Sequence, residues 1–221
     1  MSAMRKLDDL ETERLLKKWK VPTPAQFLAK NPREAAGYAK TIGFPVALKV
    51  SSPDIVHKTE AGGVRLNLGD EKAVRNAYSE ILTRVLESVP TATISGMLVS
   101  RMMPSPVEVI AGIHQDATFG PLVLFGLGGI WVEVFGEAAM RPAPLLPEDV
   151  QEMVDSLRGA RLLRGARKLP PVRPETIQSL LLTLSDVAVA AHEQLTGIDI
   201  NPLVPDSAGN LVALDASLYI A

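Results

Sequence analysis

Residues 43–66, GFPVALKVSSPDIVHKTEAGGVRL, constrain this chain more than any other stretch. Residues 44–50 form an apolar, valine-bearing run, short enough to be a buried strand. Lys49 falls inside that run, where a charge is costly unless it meets an opposite one. The polar loop that follows carries Asp54, His57, Lys58 and Glu60. Gly62 and Gly63 close it, and residues 64–68 read as a returning strand with alternating faces. Lysine offers a compact positive charge, paired glycines let backbone N–H groups approach an anion closely, and imidazole can accept a phosphoryl group. Each feature alone has an ordinary reading: a snorkelling lysine, a turn, a solvated histidine. In combination they point to phosphate chemistry.

The chain has 221 residues, enough for one large domain or two small lobes with a sizeable core. Its net charge of −2 gives no reason to expect nucleic acid or an anionic membrane. No apolar run is long enough to span a bilayer, and the first residues, MSAMRKLDDLETERLLKK, lack the apolar centre of a signal peptide. The absence of cysteine excludes disulfides, thiolate metal sites and a cysteine nucleophile, and it fits the cytosol.

Hydrophobic spacing and end signals predict the elements. A helix over 7–19 has acids early and bases late. Asn31 and Pro32 open a helix that ends at Gly43. Asp70 caps a helix over 71–87. Strands are expected over 96–102, 107–113 and 120–127, with a short strand over 131–135 carrying Glu133. Pro147 opens a helix, residues 158–173 read mostly as loop and short helix, and a long helix runs over 174–194. Residues 197–220 read as a hairpin. Strands and helices mix without strict alternation, which predicts α/β layers in two lobes rather than a regular doubly wound sheet. The expected division is an N-terminal helix and linker over 1–22, a smaller lobe over 23–93 and a larger lobe over 94–221.

The hairpin holds a second cluster. Asp199 and Asn201 are two apart on one strand, so their side chains share a face. A turn centred near Ala208 sets Asp215 opposite Asn201. Three oxygen-bearing side chains with no soft ligand suit Mg²⁺. The alternative is a hairpin whose polar face is solvent-exposed, but the apolar neighbours Ile198, Ile200 and Leu211 make these strands look buried, and buried acids need cations. Glu108 could accept a hydrogen bond from a ribose or an adenine amine, or face water at a sheet edge. The glycines of GLGG, residues 126–129, fit neither the P-loop nor the dinucleotide pattern, though such a turn after a buried strand can dock a phosphate or carboxylate. His114 and His192 read as ordinary surface or structural residues.

The 43–66 stretch, FGPLVLFGLGGIWVEV, MRPAPL, GIDINPLV and ALDA together resemble the ATP-grasp β subunit of ADP-forming acyl-CoA (acetyl-CoA type) synthetases, relatives of the succinyl-CoA synthetase β subunit. The resemblance covers nearly the whole chain. It implies an ATP-grasp fold with ATP or ADP and Mg²⁺ held between two lobes. By position, Lys49 resembles the lysine on the nucleotide phosphates, Gly62 and Gly63 the loop covering them, and Glu108 the acid that binds the nucleoside. Asn201 and Asp215 match the Mg²⁺ ligands, and Asp199 an acid supporting the phosphoryl site. His57 sits where the family carries a second phosphohistidine.

The implied reaction is acyl-CoA + ADP + phosphate ⇌ acid + CoA + ATP. An α subunit, in an α2β2 assembly, is implied to bind CoA and to carry the first phosphohistidine. Phosphate would then pass through His57 to ADP, with a loop swing hinged at Ser51, Ser52, Gly62 and Gly63. Asp54 or Glu60 could orient the imidazole. Glu137 departs from the pattern, standing where an aspartate is expected. The CoA-binding and ligase domains of the full enzyme are absent from the sequence, so the chain alone is not expected to complete the reaction. Two other readings compete. One is another ATP-grasp carboxylate ligase, which would need no loop histidine. The other is a non-catalytic nucleotide-sensing module, against which the joint presence of His57, Asp199, Asn201 and Asp215 argues.

Overall fold

The structure, a computed structural model, describes residues 5–55, 57–103, 105, 107–129, 136, 138–165 and 171–221. The strand expected over 131–135, with Glu133, and the departure at Glu137 lie outside the described residues. The chain divides into two compact units, residues 24–104 and residues 1–23 with 105–221.

The smaller unit is an antiparallel sheet with two helices on one face. Its strands β2 (Gln26–Ala29), β3 (Val46–Ser51), β4 (Val64–Leu68) and β5 (Gly96–Arg101) lie in the order β2-β5-β3-β4. Helix α2 (Pro32–Ile42) starts where the Asn31 side chain accepts the Glu34 N–H at 2.9 Å. It stops at Gly43, whose φ of 89° favours glycine. Helix α3 (Glu71–Ser88) starts on Asp70, which accepts the Ala73 N–H at 2.8 Å. Alternation along β3 turns Val46, Leu48 and Val50 into a core with Ala35, Ala39, Val74, Ile81 and Val85. Ala47, Lys49 and Ser51 therefore lie on the face away from α2 and α3.

The larger unit places β1 (Arg5–Lys6), β6 (Val109–Asp116), β7 (Gly120–Leu127), β8 (Ala138–Pro142), β9 (Leu195–Pro205) and β11 (Ala216–Ile220) in the order β1-β11-β9-β6-β7-β8, and β10 (Leu211–Ala213) pairs with β9. Helices α1 (Asp9–Lys18), α4 (Pro147–Ser156), the single turn α5 (Ala160–Leu163) and α6 (Pro174–Ala190) join them. Leu16, Val150, Met153, Leu181 and Leu184 build a core against Ala111, Ile113, Val123, Phe125, Ile198 and Ile200.

Three expectations shift. The helix over 9–18 belongs to the larger unit, because β1 pairs with β11 (Arg5↔Ile220) and Leu16 is buried there. Strand β5 belongs to the smaller unit, since it lies between β2 and β3. The boundaries thus fall after 23 and after 104 instead of at 22 and 93. Strand β2 escaped sequence reading: it is four residues long, and prolines precede it. Among the described residues no helix is long and apolar enough to cross a membrane.

Candidate functional site

Lys49 is half-buried on β3, in register with Leu98 on one side and Val64 on the other. The loop beyond β3 is built from its own backbone. Ala61 N–H donates to the His57 carbonyl at 3.2 Å, Gly62 N–H to Thr59 at 3.0 Å and Gly63 N–H to Lys58 at 2.7 Å. The Gly62 and Gly63 amides are therefore committed to the loop in this conformation and do not form an open anion nest. The glycines answer a steric need instead. Gly62 has φ 69°, and a Cβ there would lie 3.2 Å from Arg84 Cβ. A Cβ on Gly63 would lie 2.4 Å from Val50 Cγ1 and 2.9 Å from the Lys58 carbonyl.

His57 is exposed, while Ile55 and Lys58 beside it are buried. The sequence pattern does not distinguish Lys58 from the other polar residues of the loop. Asp54 is engaged elsewhere: its Oδ2 accepts the Thr93 N–H at 2.7 Å, and its own N–H donates to Ser52 Oγ at 3.1 Å. Of the two residues expected to orient the imidazole, Asp54 instead ties the loop to the segment before β5.

In the larger unit, Leu211↔Pro205 and Ala213↔Leu203 pair across the hairpin, and Ala216↔Ile200 and Ser217↔Asp199 continue in the same register. Residues 214 and 215 interrupt the second strand without shifting it. Asp215 stands opposite Asn201, whose N–H donates to the Asp215 carbonyl at 3.1 Å. This is the register expected from a turn centred on Ala208. Asp206 forms the turn by accepting the backbone N–H groups of Asn210 and Ala208 at 2.9 and 2.8 Å. These bonds, that of Asn210 foremost, hold its carboxyl below the usual aspartate range.

One expectation about this cluster is corrected. Alternation buries Ile198 and Ile200 but leaves Asp199 and Asn201 exposed on the opposite face, with Asp215 half-exposed. The apolar neighbours report the other side of the strand, so burial does not itself demand a cation there. Among the described residues no three His, Cys, Asp or Glu side chains form a ready metal cage; the third oxygen donor is the Asn201 carboxamide.

Register extends this face across the sheet. Met140, Leu124, Gly112, Asp199 and Ser217 form one row over β8, β7, β6, β9 and β11. An apolar end and an acidic end are separated by a glycine. Gly112 has no room for a side chain, since a Cβ would lie 2.3 Å from the Ile198 carbonyl oxygen.

Glu108 meets the glycine-rich turn. Gly128 N–H donates to the Glu108 carbonyl at 2.8 Å, and Cβ atoms on Gly128 and Gly129 would lie 3.1 Å from Glu108 Cβ and 3.4 Å from Oε2. These glycines make room for Glu108. The β6–β7 register predicts this meeting, since Val109 pairs with Leu127. His114 lies on β6 between Leu122 and Gly197. His192 is exposed just beyond α6.

A model of the ATP-grasp domain matches residues 2–220. The chain is 36% identical over 218 residues to the β subunit of acetate–CoA ligase [ADP-forming] I of Pyrococcus furiosus, covering 98% of this chain and 92% of that one. It is 41% identical over 176 residues to acetate–CoA ligase [ADP-forming] I of Archaeoglobus fulgidus, covering 80% of this chain but 25% of that longer one. The acetyl-coenzyme A synthetase 1 of Ca. Korarchaeum cryptofilum, solved with coenzyme A and Ca-AMPCP, superposes with a TM-score of 0.91 at 37% identity, over 98% of this chain and 94% of that one. A second structure of it, with coenzyme A, Mg-AMPPCP and a phosphohistidine segment pointing towards the nucleotide binding site, gives 0.80 at 33% identity, over 98% and 93%.

Proposed function

The chain belongs to the ATP-grasp family, among the β subunits of ADP-forming acyl-CoA ligases, and from that membership we propose that it is the nucleotide-binding, phosphoryl-transfer subunit of such a ligase. The reaction is acyl-CoA + ADP + phosphate ⇌ acid + CoA + ATP. The observation that carries the proposal is the hairpin register, which puts Asn201 opposite Asp215 and two residues from Asp199 on one strand.

Asn201 and Asp215 would hold Mg²⁺, and Asp199 would support the transferring group. The donor set fits, since Mg²⁺ takes oxygen ligands and keeps several waters and phosphate oxygens. Mg²⁺ would offset polyphosphate charge and fix the angle of attack. Lys49 would contact the phosphates as a point charge. The row Met140, Leu124 and Gly112, with Glu108 beside Gly128 and Gly129, would receive the nucleoside. His57 would accept the phosphoryl group on a neutral ring nitrogen from an α-subunit phosphohistidine. The N–P bond to His57 would then break as an ADP β-phosphate oxygen attacks in line, leaving neutral imidazole and ATP. CoA and the acid would bind through the α partner in an α2β2 complex. Such a complex would work in the cytosol, where these reactants are met.

The test is incubation with Mg²⁺ and ATP, with and without the α subunit, followed by intact mass and peptide mapping. The expected product is an acid-labile, base-stable phosphoryl group on His57 that ADP removes and that His57→Ala lacks. A label that survives His57→Ala, or no label in the complete complex despite ATP binding, would refute the relay.

A further inference from the structure

The two feet of the His57 loop are held differently. The C-terminal foot belongs to the sheet: Val50 N–H donates to the Gly63 carbonyl at 2.8 Å, and Gly63 is wedged between Val50 and the Lys58 carbonyl. Arg65 adds a contact from Nη1 to the Gly62 carbonyl at 3.4 Å and to Val64 at 2.7 Å. At the N-terminal foot the loop leaves the ladder after Ser51, whose carbonyl accepts the Ser95 N–H at 2.8 Å. Beyond it, the Asp54 carboxylate accepting the Thr93 N–H at 2.7 Å fastens an exposed turn, with Ile55 buried just after it.

A bond from an exposed side chain opens more readily than a ladder bond beside a buried valine. From this asymmetry we propose that Asp54 is the positioning residue of His57: by accepting the Thr93 N–H it fixes the N-terminal foot of the loop, and the loop opens from that foot while Gly62 and Gly63 stay docked. Movement is thus confined to one end of the segment, in place of the paired hinges that its small residues suggest. Asp54 touches no reacting atom in this account and acts through the place it gives His57.

The inference rests on the phosphohistidine reading for its effect on transfer, but not for its effect on the loop, so the test has two arms. Hydrogen exchange is followed by mass spectrometry across 55–63 in the full wild-type chain, Asp54→Ala and Asp54→Asn. Phosphoryl transfer from ATP to His57 is timed in the same three proteins in the complete complex. Removing one charge-assisted hydrogen bond is expected to speed exchange of this segment about tenfold in Asp54→Ala. Transfer should slow, with its dependence on nucleotide concentration unchanged. Asparagine keeps an acceptor oxygen, so Asp54→Asn should restore both readouts most of the way. Wild-type exchange in Asp54→Ala, or equal damage in Asp54→Asn, overturns the inference. A wild-type complex that never labels His57 overturns the proposed function instead, and the exchange arm still decides where the loop is held.

Discussion

Gly112→Ala tests whether the acid-bearing face is set by close strand contact. The added Cβ would stand 2.3 Å from the Ile198 carbonyl oxygen, 3.4 Å from its carbonyl carbon and 3.7 Å from Asp199 Cα. A comfortable carbon–oxygen contact is about 3.3–3.6 Å, so the shortfall is roughly 1 Å. The obstacle is backbone in the middle of β9, not the end of a flexible side chain, so relief requires β6 and β9 to separate or slide. Overpacking of this kind costs about 1–3 kcal/mol. For a chain of this size that lowers the melting temperature by roughly 2–4 °C per kcal/mol. Gly37→Ala is the control, because a Cβ there meets nothing within 4 Å on the exposed side of α2. It should stabilise by about 0.4–1 kcal/mol, by restricting the unfolded chain and favouring helix. Thermal melting compares the two variants, and nucleotide binding with and without Mg²⁺ reads the effect on Asp199. A Gly112→Ala protein that melts with the wild type or above it refutes the steric reasoning, whatever its activity.

Asn201→Ala and Asp215→Ala should each weaken Mg²⁺-dependent ATP binding, measured by calorimetry, by tenfold or more; Asn201→Ala should leave the melting temperature of the free chain within about 2 °C, since an exposed polar group contributes little to stability. Ser185→Ala should cost about 1–3 kcal/mol in denaturant unfolding, because the buried Ser185 Oγ accepts the Leu145 N–H at 2.7 Å and that donor would be left unpaired. Asp206 adds a pH dependence. Its folded value lies below the ordinary aspartate value of 3.8, so the stability it contributes is present above 3.8 and lost as pH falls through the lower folded value. Asp206→Asn should flatten the acid limb of the unfolding curve in that window.

The elements that sequence made legible were those with local, one-dimensional signals. Asn31 and Asp70 announced their helices because a cap is a bond between near neighbours. The hairpin register was legible because turn length fixes strand pairing, so one assumption about Ala208 placed Asp215 opposite Asn201. Membership of each unit was not legible in the same way. Nothing in residues 5–6 says that they will pair with 219–220, because that contact is set by the opposite end of the chain. Burial of the acid cluster was misjudged for a related reason. On a strand, buried neighbours one residue away imply an exposed face in between, so the apolar residues favour the solvent-exposed alternative over a buried acid cluster.

The glycines carry the argument to the chemistry. In the sequence, Gly62, Gly63, Gly128 and Gly129 suggested backbone amides presented to an anion. In the structure, Gly62 and Gly63 donate to Thr59 and Lys58, Gly128 donates to Glu108, and each pair makes room for neighbouring protein atoms. With the Gly62, Gly63 and Gly128 amides committed, the proposed site would balance polyphosphate charge with cations. In the proposed site Lys49 would supply one, and a divalent ion on Asn201 and Asp215 would supply the other. Binding of that kind depends steeply on the metal and on Lys49, whereas an amide nest would bind phosphate without either. Lys49→Gln should therefore weaken ATP binding strongly even with Mg²⁺ saturating, and binding that survives both Lys49→Gln and chelation would show that the loop amides open to take the phosphates after all.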